Sequence, residues 1–294
     1  MIQKRITFSK IIMAAVLVFI SLTMLVPMLN LLARSLSAPD KAYMIGGLDV
    51  IPKGISLAHY KVILSNRLMW ISVKNSLIIT ICGTALSILL TTSAAYSLTR
   101  PNLFGKKVFM YFLIVMMIVD PGIIQEYFLM KNLGLLDNLL SMIFYKTVSV
   151  YYLIILMRFF QEVPEALLES AKLDGAGHFT ILFRIFIPLA KVPIITIAMF
   201  YAVTRWNEFF RSGIFLNSEK NTVLQVLLRK FIVENDHTNL VGVANIAANN
   251  YIAQMDISAM KATTIVVTIL PILLLYPLVL KYHTSGVLTG GVKE

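Results

Sequence analysis

Long apolar runs separated by short charged stretches dominate this chain. Spanning the hydrocarbon core of a bilayer takes about 20 residues of helix. Ile11–Ala33 and Ser76–Leu98 meet that requirement without a charge. Ala262–Leu280 is slightly shorter, equally uncharged, and bracketed by Lys261 and Lys281. Three further runs carry isolated charges: 108–130 holds Asp120 and Glu126, 139–160 holds Lys146 and ends near Arg158, and 185–204 holds Lys191. The pattern predicts an all-α membrane protein of six spans, at about 11–33, 76–98, 108–130, 139–160, 185–204 and 262–280, forming one transmembrane domain over 1–294.

The flanks orient these spans. Lys4, Arg5 and Lys10 precede the first without an acid, and Arg100, Lys106 and Lys107 follow the second in the same way. Short basic flanks stay on the cytoplasmic side. Both termini and the segment 161–184 then lie inside, and 34–75, 131–138 and 205–261 outside. The first run is too long for the apolar part of a signal peptide and lacks a convincing cleavage site, so it is expected to remain.

Composition narrows the class further. The chain is 58% hydrophobic and 14% charged, against roughly 25% charged residues in soluble domains. The net charge of +11 raises nucleic acid as a partner, but the basic residues gather at the ends of apolar runs, where membrane anchoring places them. Nucleic-acid binding is therefore not expected. Cys82 has no second cysteine to pair with. The histidines at 59, 178, 237 and 283 are scattered, with no metal-like spacing. Neither a metal nor a catalytic residue is expected.

Residues 164–188 interrupt the apolar pattern with a polar, helix-forming stretch on the expected cytoplasmic face. Pro164 suits a helix start. Glu165 and Glu169 lie toward the positive end of the helix and Lys172 toward the other. Leu167, Ala171 and Asp174 fall on one face at helical spacing, with small Ala171 permitting close approach. Gly175 can end the helix in a left-handed conformation, and Gly177 loosens the turn. A second helix from about Phe179 leads through Pro188 into the next span. The product is a rigid helix–turn–helix knob.

The pattern Glu169-x-Ala171, Asp174-Gly175, then Ile185-x-Ile187-Pro188 resembles the "EAA" coupling loop of permease subunits in ATP-driven (ABC) importers. The tail Leu288-Thr289-Gly290-Gly291-Val292-Lys293 and the run Tyr201–Glu208 are similar to the maltose-type carbohydrate permeases, in the branch serving complex oligosaccharides such as alginate and rhamnogalacturonan. The resemblance implies a type I importer permease fold in a bacterial cytoplasmic membrane. Its implied partners are a second permease subunit, two ATPase subunits, an extracytoplasmic solute-binding protein and an oligosaccharide. ATP and Mg would be held by the ATPases, so this chain itself needs no cofactor. By position, Glu165, Glu169, Ala171, Asp174, Gly175, Ile185 and Pro188 would couple to an ATPase, and Gly290, Gly291 and Lys293 would reach between the two ATPases. Ser170 and Ile187 are small departures from the family pattern.

Ionisable groups inside spans are costly and point to function. Asp120, beside Pro121, and Lys146 are the leading candidates for the translocation pathway, with Tyr151, Trp206 and Asn207 as further ones. Tyr127, Tyr145, Tyr152, Phe200 and Tyr201 could also stack on sugar rings. Glu126, Arg205 and Glu208 are expected near the outer boundary, where side chains snorkel or meet the binding protein. Lys146, Arg158 and Arg205 would suit an acidic sugar such as a uronate. Outside, Thr222–Lys230 is expected to form an amphipathic helix with Val223, Val226 and Leu227 on one face, followed by a polar stretch at Asn249, Asn250 and Tyr251. The rival classes are an ion-driven secondary transporter or channel, for which the knob would have no use and no inverted repeat is visible, and a membrane-embedded enzyme, which would want clustered His or carboxylates.

Overall fold

The computed structural model describes residues 8–101, 103–234 and 255–290. Its regular structure is helical, and an isolated antiparallel bridge joins Ser37 to Ile55. The elements, in chain order, are α1 (Phe8–Leu36), a 3₁₀ turn (Ala42–Met44), α2 (Ala58–Ser65), α3 (Arg67–Thr99), α4 (Lys106–Ile118) and α5 (Ile123–Asn132). There follow α6 (Leu139–Phe144), α7 (Val150–Gln161), α8 (Glu165–Leu173), α9 (His178–Leu189) and α10 (Lys191–Trp206). The last described elements are α11 (Phe210–Phe215), α12 (Leu224–Ile232) and α13 (Ile257–Gly290).

The uncharged runs form unbroken helices. Among the described residues α1, α3 and α13 are long and apolar enough to cross a bilayer, and the count reaches five if two sharply bent pairs are each taken as one span. None of the apolar window of α1 is buried within the protein, so its side chains are left for lipid or a partner.

The charged runs fold differently from the straight spans expected. In 108–130, α4 and α5 meet at 115° across a break of Val119–Gly122. The local chemistry explains it: Pro121 lacks an N–H and disfavours helical backbone at Asp120. Gly122 adopts φ +83°, ψ 166°, a region open almost only to glycine, and its N–H donates to Asp120 Oδ1 at 3.0 Å. In 139–160, α6 and α7 are separated by 145–149, where Lys146 takes φ +41°. In 185–204, α9 and α10 meet at 85°. Ile185 and Pro188 therefore belong to the helix before the bend, and the next helix starts at Lys191. Pro193 sits in the first turn of α10, where its missing N–H has no intrahelical partner to lose. A π-helical stretch at Leu182–Phe186 widens α9.

The chain divides into two compact units, one comprising Met1–Trp70 and Leu227–Pro271, the other Ile71–Val226 and Ile272–Glu294. In the first, the segment after α1 is strapped to the end of that helix. Asn30 Nδ2 donates to the carbonyls of Gly46 (2.6 Å) and Asp49 (2.7 Å), and Arg34 to that of Ile45 (2.6 Å). In the second, one core gathers Leu153, Leu156 and Phe160 of α7 with Ile181 and Phe186 of α9 and Ile194 and Ile197 of α10. Another gathers Ile79, Met142 and Phe215. The expected outer amphipathic helix is α12, and Val223, Val226 and Leu227 are buried as its pattern predicts.

Candidate functional site: a surface knob and a charged cavity

The knob begins with Pro164, whose extended ψ of 132° places it at the N-cap, one position earlier than expected, with Glu165 the first helical residue. The helix ends as its glycine requires. Gly175 has φ +78°, its N–H donates to the carbonyl of Lys172 at 3.0 Å, and that of Ala176 to Ala171 at 2.9 Å. This pair of bonds is the Schellman arrangement, which satisfies the last carbonyls of the helix. No heavy atom lies within 4 Å of where a Cβ at Gly175 would stand, so backbone conformation alone demands glycine.

What seats the knob differs from the expected face. Leu168 is the buried residue of α8 and joins the core of Phe160, Ile181 and Phe186, with Ala171 and Ala176 packed beside it. Ala171 thus faces its own bundle, and its small side chain lets α8 lie close. The i, i+3 pair Leu168 and Ala171 carried that signal in the sequence. Glu165, Glu169 and Asp174 are exposed. So are Leu173 (88%) and Phe179 (80%), large apolar side chains on a segment expected to lie outside the bilayer.

Two residues beside the knob were unmarked as site residues. The Arg100 guanidinium lies 4.5 Å from the Tyr96 ring centroid and 4.6 Å from that of Phe186. Burial pulls its pKa down, opposed by Tyr96 and then by Glu165, and a guanidinium stays charged regardless. Tyr96 Oη meets His178 Nδ1 at 3.0 Å. The end of α3 is thereby tied directly to the second helix of the knob, through His178.

The second region lies around the helix breaks. Lys146 Nζ stands 3.7 Å from Asp120 Oδ2 and 3.8 Å from Glu126 Oε1. Arg211 Nε donates to Glu126 Oε2 at 2.7 Å, and Tyr145 Oη to Glu126 Oε1 at 3.1 Å. Glu208 accepts the Arg211 backbone N–H at 2.9 Å. Arg205 crosses to α3, donating to Ser87 Oγ (2.9 Å) and to the Met142 carbonyl (2.7 Å). Gly83 makes room for it, since a Cβ there would stand 2.7 Å from the guanidinium. Tyr201 Oη meets Thr91 Oγ1 and accepts the Ser149 N–H, each at 2.9 Å. Together these frame a cavity of about 290 Å³ lined by Tyr145, Lys146, Tyr152, Tyr201, Arg205 and Arg211, among others.

The structure sorts the sequence candidates. It brings Asp120 and Lys146 together, with Lys146 on the cavity. Tyr151 and Asn207 are exposed, and Trp206 is buried with its indole N–H lacking an acceptor among the described residues. Glu126 and Arg205 do not snorkel: Glu126 is an 8% exposed ion-pair partner, and Arg205 is pinned between helices. Arg211 went unnoticed because its role depends on a partner 85 positions away. Gly290 ends α13, whereas Gly291 and Lys293, like Asn249, Asn250 and Tyr251, lie outside the described residues. No group of three or more His, Cys, Asp or Glu side chains poised for a metal occurs among the described residues.

The polygalacturonan/rhamnogalacturonan transport system permease protein YtcP of Bacillus subtilis (strain 168) is 33% identical over 97% of this chain and 98% of its own. Protein LplC of the same organism is 34% identical over 83% of this chain and 81% of its own. A chain from the crystal structure of a bacterial ABC transporter involved in the import of the acidic polysaccharide alginate superposes with a TM-score of 0.86, at 28% identity, over 94% of this chain and 98% of that one. Residues 51–287 match the family described as binding-protein-dependent transport system inner membrane component. The chain is a member of that family, with the helical permease fold of ABC importers.

Proposed function

We propose that this protein is the permease subunit of an importer for oligosaccharides, acidic ones of the uronate type in particular. The carrying observation is likeness over nearly the whole chain to a permease named for polygalacturonan and rhamnogalacturonan and to a structure from an alginate importer. The other components are a second permease, two ATPases that bind ATP and Mg, and an external binding protein that delivers the sugar. Both termini and the knob face the cytoplasm.

In this reading Glu165, Glu169 and Asp174 present the polar surface of the knob to an ATPase, while Leu173 and Phe179 supply the apolar contact. Gly175 fixes the angle between α8 and α9. Ile185 and Pro188 carry the movement up α9, and Gly290, Gly291 and Lys293 reach between the ATPases. Closure of the ATPases moves the seated knob, and its ties through Leu168, Arg100 and Tyr96 pass that movement to the helix bundle. Nucleotide drives the change only through the difference in its binding to the two states. Asp120, Lys146, Tyr151, Trp206 and Asn207 are the pathway candidates, of which Lys146 is best placed.

Copurification with the neighbouring gene products tests the coupling. The ATPase subunit is expected to copurify, and Glu169→Lys combined with Gly175→Trp to abolish uptake. Unchanged uptake, or the lack of any ATPase, overturns it. A thermal-shift screen of the cognate binding protein against neutral and acidic oligosaccharides tests the substrate class.

A further inference from the structure

Lys146 holds a backbone conformation unusual for its type. Its φ of +41° lies in the left-handed region that a side chain enters only when its surroundings impose it. It sits in the break between α6 and α7, opposite Asp120 in the break between α4 and α5, and its side chain is 56% exposed.

Three cations line the cavity: Lys146, Arg205 and Arg211. Arg205 is pinned by Ser87 and the Met142 carbonyl, with its buried Nε lacking an acceptor among the described residues, and Arg211 is held by Glu126 and Glu208. Lys146 is held by ion pairs of 3.7 and 3.8 Å, longer than a hydrogen bond, and by the Tyr145 ring, whose centroid is 5.5 Å from its ammonium. Its partners are independently satisfied. Asp120 is 63% exposed and keeps the Gly122 N–H, and Glu126 keeps Arg211 and Tyr145. Lys146 can therefore change partner without stranding a buried charge. Beside it, the half-buried Tyr145 and Tyr152 line the cavity, Tyr145 next to the Arg211 guanidinium at 4.8 Å and Tyr152 stacked on Phe200 at 5.8 Å. The cavity is at the small end of ligand pockets, about 300–1,000 Å³, which suits a single sugar unit.

We infer that Lys146, with Tyr145 and Tyr152, forms a subsite for one uronate unit of the passing oligosaccharide. The sugar ring lies against the tyrosines while its carboxylate replaces Asp120 as the partner of Lys146. A loose, exchangeable pair suits a path whose sites must bind well enough to admit and weakly enough to release. The assignment rests on the acidic-sugar reading above and adds the residue that reads the acid.

The test uses the complete importer in liposomes, with one binding protein throughout. Initial uptake is measured for a short galacturonate oligomer and for its methyl-esterified form. Wild type is expected to prefer the acid. Lys146→Gln should lower that preference about tenfold, as loss of one charge-assisted contact implies, with ester uptake preserved as the control for folding. Lys146→Arg should retain the preference, and Asp120→Asn should keep or raise it by removing a competing partner. If Lys146→Gln lowers both uptakes equally, or leaves the preference unchanged, the subsite is wrong while the substrate reading stands. A wild-type importer that moves neither sugar, or favours the ester, overturns the substrate reading and the subsite with it.

Discussion

The knob and the charged cavity are built in opposite ways. The knob is assembled from neighbours in sequence: Pro164 starts it, Gly175 and Ala176 close it, and Leu168 seats it a few residues from where it began. The cavity is assembled from distant parts of the chain. Arg211 meets Glu126 across 85 positions and Arg205 meets Ser87 across 118. On the proposed function, local bonds let the knob keep its shape while an ATPase moves, and long-range bonds let the cavity join elements that rearrange. The two regions should accordingly fail differently when altered.

The largest effect is expected where a long-range pair is broken. Glu126→Gln leaves the Arg211 guanidinium, 21% exposed, with a neutral acceptor in place of the carboxylate, its 3.9 Å contact to Glu208 as the remaining ion pair, and the Tyr145 ring 4.8 Å away. Removing one partner of a buried pair costs roughly 3–5 kcal/mol, and the residual Glu208 contact sets the expectation at the lower end, about 3 kcal/mol. Thermal unfolding of the detergent-solubilised importer measures it. Adding Arg211→Met should recover much of the loss, because the stranded charge is then gone. A single variant as stable as wild type breaks the comparison, since the cavity would not depend on its long-range pairs.

A smaller loss is expected from crowding the same region. Gly83→Ala puts a Cβ 2.7 Å from the Arg205 guanidinium, so Arg205 must leave Ser87 or the Met142 carbonyl. Overpacking of this kind costs about 1–3 kcal/mol. The same unfolding assay should show Arg205→Met relieving part of it.

The knob should respond to backbone conformation alone. Gly175→Ala meets no neighbour but must hold φ +78°, at about 1–2 kcal/mol. Gly175→Asn is larger yet should be milder, because asparagine tolerates the left-handed region. The readout is uptake together with the amount of copurifying ATPase, and the comparison is sharpened if thermal stability changes less than either. If alanine proves milder than asparagine, the glycine is there for space after all.

These contrasts track how far each region could be read from the chain. The uncharged spans and the Gly175 stop are legible because composition and single-residue conformation decide them. The break at Asp120-Pro121-Gly122 was also written locally, in a proline and a glycine, although the apolar run around it reads as one span. The break at Lys146 carries no such signal: nothing in Tyr145-Lys146-Thr147-Val148-Ser149 forbids a helix, and tertiary packing imposes it. Glu126 read as a boundary residue because its partner, Arg211, lies on α11, and no spacing rule joins them.

The smallest predicted effect separates a third kind of bond, one between two turns. Asp137, just before α6, accepts at Oδ1 from the backbone N–H groups of Asn217 (3.1 Å) and Ser218 (2.9 Å) and from Ser218 Oγ (2.8 Å). The Ser218 N–H is the leading cause that holds its carboxyl down from 3.8 to about 2. A depressed pKa means the folded state prefers the ionised form, so this contribution is complete above the unfolded value of 3.8 and disappears as pH falls through about 2. Asp137→Asn keeps an acceptor oxygen but not the charge. It should be slightly less stable than wild type at neutral pH, and the gap should close between about pH 4 and pH 2. Because other carboxylates also titrate in that range, the informative quantity is the difference between the two proteins in parallel unfolding curves. A gap independent of pH would assign the turn to hydrogen-bond geometry alone, with ionisation of Asp137 playing no part.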